Sequence, residues 1–172
     1  METQKEISKN ENKIIADVPR NGNDIYRVSA WTGKEGKHFL DLRVYYTKDG
    51  KLRKTREGVN VLARLRREIA AALLAAKNAA EIPEPSEGKN CETAFVSAVA
   101  VSETEQYQIS KVRGPKNRIV RISYAFKGGE GSFIPSSRKA LSILESSVEG
   151  VAAALQSPEA EPMPVETSVQ PA

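Results

Sequence analysis

The segment YRVSAWTGK at residues 26–34 returns as YQISKVRGP at 107–115, with Tyr26, Ser29 and Gly33 recurring as Tyr107, Ser110 and Gly114. Self-similarity at a long period constrains a chain more than a single motif does, because both segments must fold alike. The match continues past the turn, where FLDLRVYY (39–46) lies over IVRISYAF (119–126) after a gap one residue shorter. Each block then shows an apolar stripe at helical spacing: Leu62, Leu65, Ile69 and Leu73 in the first, and Leu141, Leu144, Val148, Val151 and Leu155 in the second. The chain therefore reads as α+β, built from two tandem, diverged copies of one small sheet-plus-helix unit.

Within FLDLRVYY, Leu40, Leu42 and Val44 leave one side of a strand, while Asp41, Arg43 and Tyr45 leave the other. This alternation marks a half-buried strand with one face making core and the other free to bind. The pair Asp49-Gly50 signals a tight hairpin turn, because both residues tolerate positive φ. Strands are expected at 25–31, 37–46, 52–56 and 58–61, followed by a helix over 62–79, which gives β-β-β-β-α. In the second block KGGEGSFIP (127–135) is too short for a clear third strand, so AFVSAVAV (94–101) is expected to replace it. The organisation that follows is a largely flexible arm over 1–23, in which Lys13–Val18 adds a short strand, and a first unit over 24–80. A Pro/Glu/Ser-rich linker over 81–93, a second unit over 94–156 and a disordered tail over 157–172 complete it.

The formal net charge of +4 conceals an asymmetry. Residues 24–80 hold 13 basic against 6 acidic side chains, and 107–156 hold 8 against 3. Two basic blocks separated by an acidic link suggest two surfaces for a polyanion. Cys91 is the only cysteine and His38 the only histidine, so neither a disulfide framework nor a metal cluster is expected. No cofactor is expected either: the glycines of KGGEGS (127–132) lack the Gly-Lys-Ser/Thr ending of a phosphate loop. The start METQKEISKNENK has no apolar core of a signal peptide, and no stretch is long enough to span a membrane. A reducing compartment is expected, cytoplasmic, nucleoid or nuclear. Asp41 reads as the ion-pair partner of Arg43 rather than as a catalytic carboxylate, and no enzyme activity is expected.

Cations interleaved with aromatics are what an unpaired nucleic-acid strand needs, phosphates being tracked by charge and bases by flat side chains. The candidates are Arg27, Trp31, Lys34, Lys37, Arg43, Tyr45, Tyr46, Lys51, Arg53 and Lys54 in the first block, with Lys48 and Arg56 in adjoining turns. In the second block they are Lys111, Arg113, Lys116, Arg118, Arg121 and Phe126. Tyr46 needs a bulge or a strand end to join the face of Asp41, Arg43 and Tyr45.

The run YRVSAWTGKEGKHFLDLRVYYTKDGKLRKTREGVNV (26–61), followed by a helix, resembles the single-stranded-DNA-binding domain of the transcriptional coactivator called positive cofactor four and its bacterial and phage relatives. That resemblance implies a Whirly-like fold, a curved antiparallel four-stranded sheet with a helix, paired so that two sheets make one binding surface about a pseudo-two-fold. It also implies contacts from Trp31, Arg43 and Tyr46. In the second block Val112 stands for Trp31 and Ser123 for Arg43, Phe126 keeps the aromatic of Tyr46, and Arg121 supplies a displaced charge. The expected function is non-catalytic single-stranded DNA binding in replication, recombination or transcription. The alternative is an RNA-binding or RNA-polymerase-associated regulator of the same fold. RNA polymerase and replication proteins are candidate partners, pairing within the chain competes with a homodimer, and no membrane partner is expected. A third reading takes LARLRREIAAALLAAK (62–77) as a basic amphipathic helix on a membrane surface.

Overall fold

The computed structural model describes residues 12–162. In chain order they form β1 (Lys13–Asn21), β2 (Asp24–Thr32), β3 (His38–Lys48), β4 (Lys51–Leu62) and α1 (Arg66–Lys77). Then come β5 (Glu92–Ala100), β6 (Glu105–Arg113), β7 (Arg118–Lys127), β8 (Phe133–Leu144) and α2 (Glu145–Gln156). All eight strands join one antiparallel sheet in the order β1-β2-β3-β4-β8-β7-β6-β5. The molecule is α+β, with α1 and α2 packed on each other and on one face of the sheet.

The alternation in FLDLRVYY holds. Leu40, Leu42 and Val44 are buried toward the helices with Tyr26, Val28, Val59 and Val61. From the other half Ile109, Val120, Ile122, Leu141 and Ile143 join the same core. Burying each of these aliphatic side chains contributes about 1.5–3 kcal/mol relative to exposure. Asp49 and Gly50 both have positive φ, 53° and 74°, and close a two-residue turn between Lys48 and Lys51.

Several boundaries differ from expectation. Residues 52–61 make one strand rather than two, because β4 carries an irregularity: it advances from Gly58 to Lys54 while β3 advances only from Arg43 to Tyr45. The first strand of the sheet is Lys13–Asn21, most of which falls in the expected arm; it reaches beyond Val18 by pairing along β2. Residues 133–144 form the full strand β8 despite their short apolar run, since pairing with β7 overrides a composition rich in Ser, Arg and Lys. Hence β5 replaces nothing and is the outer strand of its own side. Leu141 and Leu144 belong to β8, and Leu62 to β4, so both apolar stripes run through a strand end before their helix starts. Of the tail, Pro158–Ala160 is a short 3-10 turn that buries Ala160. The rest of the expected disordered tail, 163–172, and residues 1–11 of the arm lie outside the described residues.

At the centre of the sheet β4 and β8 share one paired position, Gly58 opposite Ala140. Two buried tyrosines close the rest of this junction. The Tyr26 hydroxyl donates to the Ser142 carbonyl (3.0 Å) and accepts from the Leu144 amide (2.9 Å). The Tyr107 hydroxyl donates to the Asn60 carbonyl (3.1 Å) and accepts from the Leu62 amide (3.1 Å). Each phenol satisfies backbone groups of the strand that the other half contributes, and burial pushes both phenols above their usual range. Sheet irregularities recur in parallel, between Ile14 and Ala16 in β1 and between Phe95 and Ser97 in β5. They recur again in β4, between Gly58 and Lys54 opposite Arg43 and Tyr45, and in β8, between Ala140 and Pro135 opposite Ser123 and Ala125.

Candidate nucleic-acid interface

The sheet face away from the helices carries two rows in the first half. Register places Arg27, Arg43 and Gly58 side by side, and next to them Ser29, Asp41 and Asn60. Arg43 reaches Asp41 through Nη2 (2.9 Å) and Nε (3.1 Å) and donates to the Thr55 carbonyl (3.1 Å). The expected Asp41–Arg43 pair is therefore present, and it occupies Arg43: the guanidinium lies over Gly58, where an added Cβ would fall 2.7 Å from its Cζ. Arg27 is held by both oxygens of Asp17 at 2.7 and 2.9 Å, which raises its pKa further, and lies 4.8 Å from the Tyr45 ring centre.

Trp31 stacks on Phe39 at 4.8 Å and 19°, and its Nε1 donates to the Asn60 side chain at 2.9 Å. Phe39, Asn60 and Asp17 are site residues that the sequence did not reveal. Phe39 is recoverable once the β2–β3 register is known, because it sits directly opposite Trp31. Lys34 and Lys37 are exposed in the loop beside this stack. At the far end of β3 the hairpin with β4 exposes Lys48, Lys51, Arg53, Lys54 and Arg56, none within ion-pair distance of a carboxylate among the described residues. Tyr46 is 37% exposed. It does not join Asp41, Arg43 and Tyr45: alternation past Val44 puts it on the helix side, and the irregularity that could have turned it lies in β4.

In the second half the candidates separate. Lys111 is buried, not an interface residue. Its Nζ donates to the carbonyls of Lys77 (3.1 Å) and Ala79 (2.8 Å) at the end of α1 and lies 3.7 Å from Glu145. A cation there satisfies orphan carbonyls and the negative end of the helix dipole. Arg66 does the same for α2, donating to the Leu155 carbonyl at 2.7 Å. Arg113 pairs with Glu84 (3.2 Å) and Arg118 with Glu81 (2.9 Å), so the acidic linker folds back on cations expected to be free. Lys116 is exposed in the β6–β7 loop. Phe126 is 45% exposed opposite Ile134, itself 47% exposed. Tyr124, covered in part and bonded to the Glu105 carboxylate, has its phenol pushed up to about 12, burial being the larger cause.

Arg121 differs from all of these. Its Nε donates to the Ser142 hydroxyl (3.1 Å), and its terminal nitrogens donate to no group among the described residues. It borders an open cavity of about 450 Å³ on the face away from the helices. The stripe of Ile69 and Leu73 on α1 is fully buried under the sheet, and no helix among the described residues is long and apolar enough to cross a membrane.

No family model and no curated protein matches this chain. Among solved structures it is similar to a PC4 homolog from Burkholderia pseudomallei, with 28% identity over 38% of this chain and 97% of that chain, at a TM-score of 0.35.

Proposed function

We propose that the chain is a non-catalytic single-stranded-DNA-binding protein that neutralises phosphates and stacks bases, serving replication, recombination or transcription. The observation that carries this reading is the arrangement along β3. The Trp31–Phe39 stack stands at one end with Lys34 and Lys37 beside it, and at the other the hairpin carries five cations with no carboxylate within ion-pair distance among the described residues. From Phe39 to Tyr45 a strand rises about 20 Å, so a single nucleic-acid strand laid along it meets flat side chains and charge in turn. RNA polymerase or a replication protein is the kind of protein partner this role implies.

The two halves are, on the same reading, diverged copies of one unit paired about a pseudo-two-fold within the chain. Supporting it are the symmetric strand order, the matched sheet irregularities and the reciprocal bonds of Tyr26 and Tyr107. A homodimer is not needed to complete the sheet.

The test is fluorescence anisotropy with labelled oligo-dT, a duplex of equal length and oligo-U, at two salt concentrations. Oligo-dT is expected to bind in preference to duplex, with affinity falling steeply with salt. Trp31→Ala is expected to lose about 1–3 kcal/mol of that binding. Equal affinity for duplex, or a flat salt response, would reject the reading; tighter binding of oligo-U would move it to RNA.

A further inference from the structure

The cavity beside Arg121 is a consequence of how the second half fills the rows that the first half fills with ion pairs. Register places Ser110, Arg121 and Ser142 in one row, and Gln108, Ser123 and Ala140 in the next. Gly58 opposite Ala140 puts the second row in line with Arg27, Arg43 and Gly58 across the junction, and the equivalent register within each half makes Ser110, Arg121 and Ser142 the counterparts of Ser29, Asp41 and Asn60. Where the first half has a carboxylate and a long cation folded over a glycine, the second has a cation, a short hydroxyl and an alanine. The volume that Arg43 fills on its own side is left open on the other.

The opening is furnished with donors. Ser142 fixes the Arg121 guanidinium through Nε, leaving the two terminal nitrogens free, and no carboxylate lies within ion-pair distance of it among the described residues. The hydroxyls of Ser110 and Ser123 line the same space without a hydrogen-bond partner among the described residues, and Ser123 is only 7% exposed. A guanidinium with a free edge beside unpaired hydroxyls matches a phosphate oxyanion in both charge and hydrogen bonding. Glu57 lines the space from across the junction, its carboxylate 4.0 Å from Arg20. Its negative charge disfavours a dianionic monoester more than a singly charged diester.

We infer that this cavity seats one phosphodiester oxyanion, bound by Arg121 with the hydroxyls of Ser110 and Ser123. The inference rests on the proposed strand-binding function and reverses the weight that the sequence puts on Arg43 and Arg121: Arg43 is a positioning residue, and Arg121 touches the ligand.

The test uses the full chain and the variants Arg121→Gln and Ser123→Val, the second replacing a hydroxyl with a methyl and adding another, so that it removes a donor and narrows the cavity. Oligo-dT affinity is measured across salt concentration, and the Arg121 Nε–Hε resonance is followed during titration with dimethyl phosphate. Arg121→Gln is expected to weaken oligo-dT about tenfold and to reduce the salt slope by about 0.7, one phosphate contact on a single strand. Ser123→Val is expected to weaken binding without changing the slope, and dimethyl phosphate to shift the Arg121 resonance in the wild type more than in Ser123→Val. If the wild type binds oligo-dT and both variants bind it equally well with the same slope, the seat is wrong while the function stands. If the wild type ignores oligo-dT, the function fails, and the dimethyl phosphate titration alone decides the seat: a shift that Ser123→Val abolishes upholds it, and no shift overturns it.

Discussion

In the first half a long cation covers a glycine; in the second a serine faces an alanine, and the neighbouring cation has no carboxylate within ion-pair distance among the described residues. Around the central pair the register is the same on both sides, Arg43 opposite Gly58 and Ser123 opposite Ala140, so the difference at these positions lies in the side chains. It shows that a charge on a sheet face is not by itself a binding group. Arg43 and Arg27 are held by Asp41 and Asp17, whereas among the described residues Arg121 and the hairpin lysines and arginines pair with no carboxylate.

The most severe way to break the comparison is to remove one side. A fragment ending at residue 85 loses the strand groups that Tyr26 bonds and the helix that α1 packs against. It is expected to be unfolded or self-associated, and a folded monomer in sedimentation and circular dichroism would show that the halves are independent. Next, Arg43→Gln strands Asp41, which is 6% exposed, and is expected to cost about 2–3 kcal/mol in urea unfolding. Restoring neutrality with Asp41→Asn should recover part of the loss, whereas Arg121→Gln, which leaves no carboxylate behind, should lower stability by less than 1 kcal/mol.

Smaller in effect is the exchange of the central pair. Gly58→Ala puts a methyl against the Arg43 guanidinium and the Leu42 carbonyl, 2.8 Å away, and is expected to destabilise by about 1–2 kcal/mol. Ala140→Gly, on the side with no such crowding, should cost about 0.5–1 kcal/mol, chiefly by loosening the backbone. Equal losses would mean that Arg43 does not set the glycine requirement.

The smallest effect is alkaline. The Tyr124 phenol titrates at about 12 in the folded chain against an ordinary 10.0, so it binds its proton more tightly folded than unfolded. Its contribution is fully present below pH 10 and fades as pH rises toward 12, with Tyr26 and Tyr107, also raised, acting in the same direction. Tyr124→Phe removes the bond to Glu105 and is therefore expected to lower stability somewhat at pH 7 and to flatten its fall between about pH 10 and 12.

Much of this was open to reading in the sequence, where local chemistry decides local structure. The Asp49-Gly50 turn, the inward face of Leu40, Leu42 and Val44, and the Asp41–Arg43 pair all follow from neighbours within a few residues. The sequence misplaces Lys111: it alternates with Tyr107 and Ile109 on the core face, but its charge argues for the surface, and the carbonyls at the end of α1 that bury it carry no local signal. Glu81 and Glu84 folding back on Arg118 and Arg113 is a tertiary event with no local signal. Strand β8 is another: SSRKALSIL has weak strand propensity and is held by β7. The stack of Trp31 on Phe39 needed the register, which the pattern alone left open.

The central pair of the sheet, Gly58 and Ala140, lies within one polypeptide. Two identical chains meeting at such a seam would place the same residue on both sides, and every substitution would be made twice. Here each side is encoded separately, so a bulky cation can be gained at Arg43 while its counterpart shrinks to Ser123. The joined chain thereby admits unequal surfaces on a common backbone, and with them a direction: a strand lying across the sheet meets a different chemistry at each end.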